Sequence, residues 1–298
     1  MSIASTALVT AESILALTPI VIKKTPLDPM STIWSRLLSS AVIGYFLTGD
    51  RSLTPMEWAG ATALGYTNLL HVASSYESFR HLPAGQATSL LYTFPLWNLV
   101  FSSLFNKESI ATRDYLLMGG ATAGAILLNL DPGIAAPNTL GRTANPGWGI
   151  FNGIVMALTE SGMYTILKIL GWRDPAKSVW VVSSSAAVWL AAIVGLQYTL
   201  FGGLPALQGS FSDITLLTLF HGFTLFSGYW LRFFAVPRLS TVTYSILSYA
   251  GLLASYMFGI FFLREQPGWI SVAGALIIVA CGLFLQLGSD NKKSGSGT

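Results

Sequence analysis

The chain has 298 residues, of which 52% are hydrophobic and only 10% charged, and its mean hydropathy is +0.60. A soluble domain carries about 25% charged residues, and a surface this poor in charge would aggregate in water. The composition therefore excludes an ordinary soluble domain. The net charge of +3 comes from few residues that mostly flank apolar runs, where they orient helices rather than mark a nucleic-acid surface.

At about 20 apolar residues per crossing, the length accommodates ten membrane helices and leaves no room for a soluble module. In chain order the apolar runs predict spans over roughly 4–22, 30–48, 56–78, 84–105, 111–130, 147–170, 176–200, 212–235, 240–263 and 267–287. The start of the chain lacks a basic n-region and an A-x-A site, so the first run is read as a retained span. Turn residues and charges fill the connections, the longest being 131–146. The terminal stretch 290–298 reads as a solvated, disordered tail.

The two halves resemble each other across that long connection. At an offset of 157, Tyr92 falls on Tyr249, Lys107-Glu108 on Arg264-Glu265, and Gly65 and Thr67 on Gly222 and Thr224. At slightly smaller offsets of 148 and 146, Glu12-Ser13 matches Glu160-Ser161 and Asp28-Pro29 matches Asp174-Pro175. This order predicts two five-helix repeats, 1–130 and 147–289, joined by 131–146. An odd number of spans inverts the second repeat, the architecture of many secondary transporters, with a site near the midplane. With the N-terminus inside, Arg51, Lys107, Arg113, Arg173, Lys177, Arg238, Lys292 and Lys293 are cytoplasmic. Lys23, Lys24, Arg80, Arg142 and Arg264 lie opposite, so the bias favours both termini cytoplasmic. Glycines spaced by four or eight, Gly120 and Gly124, Gly149 and Gly153, Gly274 and Gly282, read as helix contacts.

The segments Phe105-Asn106-Lys107-Glu108 and Phe262-Leu263-Arg264-Glu265 share a Phe, a basic residue and a Glu in register. They resemble the acidic junction before the last helix of each unit in the drug/metabolite transporter superfamily, and the glycine-bearing segments after them resemble its fifth and tenth helices. The likeness is to the EamA type with two such units. It implies ten helices, alternating access and a central cavity lined mostly by helices 1, 3, 4, 6, 8 and 9. Members export amino acids, metabolites or drugs, and relatives exchange nucleotide sugars or phosphorylated sugars. The ninth span lacks the adjacent Lys-Arg pair of phosphate translocators.

Charges inside spans are the leading site candidates, because each costs roughly 2.5–3.5 kcal/mol at mid-bilayer unless it finds a partner or a wet cavity. Glu12 and Glu160 occupy matching places in the first and sixth spans. They could bind an amine or couple transport to a proton, or could each simply be neutralised by an arginine. Arg232 could clamp an anionic group or pair with Glu12, Glu160 or Glu77. Arg36 has the same choices and could also snorkel. His71, with Asn68 on the same face, could relay protons or bind solute; His221 lies nearer a helix start. Tyr92 and Tyr249, near Ser89 and Ser248 and with Thr88 and Ser245 one turn back, suit the wall of an amphipathic pocket. Pro95 is the best hinge candidate.

Cys281 is the single cysteine, which excludes an intrachain disulfide and a multi-cysteine zinc site, and no cofactor is expected. There is no P-loop, H-E-x-x-H or G-x-S-x-G motif. The expected function is secondary transport of small polar or amphipathic metabolites, amino acids among them, in a plasma or inner membrane. The partners are a small-molecule substrate, membrane lipid and a coupling proton, without nucleic acid, in a monomer or homodimer. The alternatives are a sugar-phosphate or nucleotide-sugar antiporter of an organelle, an intramembrane enzyme, or a channel.

Overall fold

The computed structural model describes residues 2–24, 28–82, 84–129, 145–202, 210–263 and 268–294. Helix accounts for 88% of the structure, and no strand occurs among these residues. The first half holds α1 (Ile3–Leu15), α2 (Thr18–Lys24), α3 (Pro29–Leu47), α4 (Pro55–His81), α5 (Ala84–Leu91), α6 (Phe94–Phe105) and α7 (Thr112–Asn129). The second holds α8 (Pro146–Leu170), α9 (Pro175–Phe201), α10 (Phe211–Leu219), a π-helical turn (Phe220–Leu225), α11 (Phe226–Ala235), α12 (Thr241–Leu263) and α13 (Trp269–Ser294). Among the described residues, five stretches are long and apolar enough to cross a membrane: Ile3–Val21, Pro146–Leu170, Pro175–Phe201, Phe211–Arg238 and Thr241–Phe262. The long connection predicted at 131–146 lies almost wholly outside the described residues, as does the Arg264-Glu265 junction. Helix α13 runs to Ser294, into the stretch read as a tail.

Local chemistry sets the helix starts. Asp28 and Asp174 accept hydrogen bonds from the backbone N–H groups of Ser31 and Ala176, each at 2.9 Å. Pro29 and Pro175 follow at the first helical position, where a missing N–H costs nothing. The matching Asp-Pro pairs of the sequence are thus the starts of α3 and α9, which pack on each other. Thr54 and Glu57 form a reciprocal capping box at the start of α4. Two predicted spans are broken in their interiors. The first divides into α1 and α2 just before Pro19, and the fourth into α5 and α6 just before Pro95. Each proline opens the following helix instead of kinking a continuous one.

The principal helix contacts are α4 with α8 and α9, α3 with α9 and with the π-helical turn, α1 with α11 and α12, α6 with α8 and α12, and α7 with α13. Small residues let these helices close up without a hydrophobic drive between them. A Cβ on Gly124 would lie 2.8 Å from the Gly274 carbonyl, which places both glycines at the α7–α13 contact. A Cβ on Gly44 of α3 would lie 2.8–2.9 Å from the backbone N, Cα and Cβ of Trp180 on α9. Backbone cannot rotate away, so Gly44→Ala should separate the two helices and cost about 1–3 kcal/mol. Thermal unfolding in detergent checks this against Gly119→Ala. A Cβ there meets nothing within 4 Å, and a surface change of that kind stays within about 0.5 kcal/mol.

Candidate functional site

Four charged or titratable side chains from four helices meet in the interior. Glu12 of α1 is 1% exposed, Glu160 of α8 5%, Arg232 of α11 7% and His71 of α4 6%. Arg232 Nε donates to Glu12 Oε1 at 2.8 Å, and its Nη1 donates to Glu160 Oε1. One guanidinium therefore pairs with both carboxylates, and its planar fork allows the two bonds at once. The other oxygen of Glu160, Oε2, faces His71 Nε2 at 3.4 Å and accepts no hydrogen bond from a described residue. His71 Nδ1 lies 3.1 Å from the Met156 carbonyl.

These four groups line a cavity of about 70 Å³, together with Arg36, Tyr92, Phe94 and Tyr229. Arg36 of α3 is buried and donates to the Tyr229 hydroxyl at 2.5 Å. It forms no ion pair with a described carboxylate. Its guanidinium lies 5.3 Å from the Tyr229 ring centre, and that of Arg232 lies 5.7 Å from Phe94 and 5.9 Å from Tyr229. Aromatic faces thus cushion both cations. With neutral imidazole, two guanidiniums balance two carboxylates.

Several other sequence candidates lie apart from this chamber. Tyr92 sits at the break between α5 and α6, lines the cavity and stacks on Tyr249, with ring centres 6.2 Å apart. Tyr249 itself turns its hydroxyl to Thr122 Oγ1 at 2.7 Å and does not line the cavity. Ser245 accepts from Asn98 Nδ2 at 3.2 Å, deep in the α6–α12 contact. Asn68 is buried but not part of the lining, and Thr88, rather than its neighbour Ser89, faces the cavity. Glu77 pairs with Arg80 at 2.5 Å and with His81 at 3.5 Å, and accepts from Trp148 Nε1 at 3.1 Å, so it reaches neither Arg36 nor Arg232. His221 contacts Ser35 Oγ at 3.0 Å, away from the cavity. Pro95 stands in the first turn of α6.

Sequence reasoning missed Tyr229 and Asn98. Asn98 is fully buried, and its Oδ1 accepts from Ser161 Oγ at 2.7 Å. An amide inside an apolar run was the available signal. It also missed the cluster at the C-terminal end of α8, two turns beyond Glu160. There Lys168 Nζ pairs with Glu108 Oε1 at 2.7 Å and donates to Thr241 Oγ1 at 2.8 Å and Tyr164 Oη at 3.1 Å. Glu108 lies in the connection between α6 and α7. Burial opposes its ionisation, but hydrogen bonds from Lys168 and Thr241 outweigh burial and hold its carboxyl below the usual range. Asp50, fully exposed, is held low by the backbone N–H and hydroxyl of Ser52. Among the described residues no three His, Cys, Asp or Glu side chains could hold a metal ion.

Residues 2–130 match the family model described as the EamA-like transporter family. A search of curated proteins finds no match. A solved structure described as "Crystal structure of protein" superposes with a TM-score of 0.72 at 14% identity, covering 94% of this chain and 97% of its own; the likeness is one of fold. The all-helical architecture, the apolar crossing helices and the family match together support a multi-pass membrane protein whose residues 2–130 are similar to the EamA-like transporter family, a likeness consistent with the drug/metabolite transporter superfamily.

Proposed function

We propose that the protein is a secondary transporter that moves small polar or amphipathic metabolites by alternating access, working as an exporter in a plasma or inner membrane with both termini cytoplasmic. The observation that carries this reading is the joint: Glu12 and Glu160, matching residues of the two halves, meet on Arg232 in one buried cavity. We further propose ten crossings, arranged as inverted repeats over 1–130 and 147–289. The packing supports this arrangement. Pairing each span of one half with its counterpart exchanges the α4–α8 contact with α11–α1, and α6–α8 with α12–α1, while α3–α9, α6–α12 and α7–α13 map onto themselves.

The cavity of about 70 Å³ is far below the roughly 300 Å³ of an ordinary ligand pocket, so binding requires the helices to part. It extends from Glu160 toward Ser75 and Phe79 of α4. The Lys168–Glu108–Thr241 cluster binds α8, α12 and the α6–α7 connection together beyond its other end, which fits a gate closed on that side. Two arginines in one cavity are the feature that would favour a sugar phosphate. Arg232, however, is already neutralised by two carboxylates. That balance favours a neutral or zwitterionic solute, with Arg36 left to meet its anionic part.

Uptake into proteoliposomes of labelled amino acids, sugar phosphates and nucleotide sugars, with and without a pH gradient, tests the reading. Glu12→Gln and Glu160→Gln each weaken a charged hydrogen bond of about 1.5–3 kcal/mol. Transport of the accepted solute should then fall by roughly tenfold or more. Wild-type rates in both variants would sink the proposal.

A further inference from the structure

We propose that His71 and Glu160 bind one exchangeable proton between them, and that this proton is the one the transport cycle uses; the second clause rests on the transporter reading, the first does not.

The argument starts from the ring nitrogens. A carbonyl oxygen only accepts, so His71 Nδ1, 3.1 Å from the Met156 carbonyl, carries a hydrogen. A neutral imidazole has one N–H, which leaves a lone pair on Nε2. That nitrogen lies 3.4 Å from Glu160 Oε2, and an ionised carboxylate is also only an acceptor. Two acceptors facing each other in a buried site repel. One proton added to Nε2 replaces the repulsion with the attraction of an imidazolium–carboxylate pair. Turning the ring over would put carbon against both oxygens, so the observed placement is the one that uses both nitrogens.

The surroundings favour a single proton at this pair. Arg232 and Tyr229 of α11, Arg36 of α3, Glu12 of α1 and Tyr92 between α5 and α6 share the cavity with it. Neither arginine gives up a proton, and Glu160 Oε1 and Glu12 Oε1 are both occupied by Arg232. Glu160 Oε2 is the buried carboxylate oxygen here that no described residue satisfies. When the proton leaves, this oxygen becomes a bare acceptor in the cavity. An N–H or O–H donor on the solute then competes with the proton for the same atom, which is the logic of exchange. The same loss removes an attraction between α4 and α8.

The test is nitrogen NMR of histidine-labelled protein in lipid nanodiscs. The chain has three histidines, and His71→Asn identifies the resonance. His71 should keep its proton on Nδ1 throughout, while Nε2 passes from protonated to bare in one titration as the pH rises. In Glu160→Gln the side-chain amide can donate to Nε2, so the imidazole should stay neutral and the titration disappear. Glu12→Gln should retain it. A bare Nδ1 in the wild-type protein, or an unchanged titration in Glu160→Gln, would overturn the proposal, and the first result needs no variant to fold. Solute transport indifferent to pH, with the titration intact, would overturn the coupling clause. No transport of any solute, with the titration intact, would count against the transporter reading instead.

Discussion

Arg232→Met should be the most damaging single substitution in the protein. It leaves Glu12 and Glu160, 1% and 5% exposed, facing the same space without their cation. Removing one member of a buried ion cluster costs about 3–5 kcal/mol, because the remaining charges stay buried. The folded yield in detergent and the unfolding temperature should both drop sharply. The cause can be isolated. Adding Glu12→Gln and Glu160→Gln to Arg232→Met removes the stranded charges, and apolar or neutral replacement of a whole buried cluster is often close to neutral. The triple variant should therefore recover most of the lost stability while remaining unable to transport. A triple variant as unstable as the single one would mean that Arg232 contributes by packing, not charge.

The second large effect is expected at Gly251. This residue of α12 has no Cβ at the point where α1 and the α5–α6 break converge. A Cβ there would collide with the Tyr92 hydroxyl and lie 3.0 Å from Glu12 Oε2 and 3.1 Å from the Glu12 carbonyl. The carbonyl belongs to the α1 backbone and cannot swing aside. Gly251→Ala should then displace α1 and Tyr92 together. The stability cost should be about 1–3 kcal/mol, but transport should suffer more than stability, because misplacing a binding group by about 1 Å can cost a hundredfold. Tyr92→Phe removes the hydroxyl that the new methyl strikes. Added to Gly251→Ala, it should restore part of the unfolding temperature. A double variant no better than Gly251→Ala would place the conflict at the Glu12 backbone alone.

The helical architecture was legible because lipid imposes it: apolar runs of the right length have few other solutions. The charged centre was legible for a related reason. Carboxylates and a guanidinium inside apolar runs cost too much to be left alone, so Glu12, Glu160 and Arg232 stood out. What one sequence could not supply was the pairing. Arg232 had three acids within its choices, and only the packing of α11 against α1 selects Glu12. Glu77 was separable in principle, since Arg80 and His81 stand three and four residues on, the spacing of helix neighbours. The breaks before Pro19 and Pro95 were signalled by the prolines, but proline serves both inside a kink and at a helix start. Thr88 and Ser89 are adjacent on a helix and so point about 100° apart; hydropathy does not say which one faces inward.

The wide turn at 220–225 has a consequence for Arg232. A π-helical turn accommodates one more residue than an α-helical one, and such turns are found frequently at functional sites. Were these residues to adopt ordinary α spacing, everything after them would swing about 100° around the helix axis and slide about 1.5 Å. The guanidinium would then lose both carboxylates at a stroke, without any helix unravelling. The three-way ion pair thus depends on the rotational register that the wide turn sets between Phe211 and Arg238.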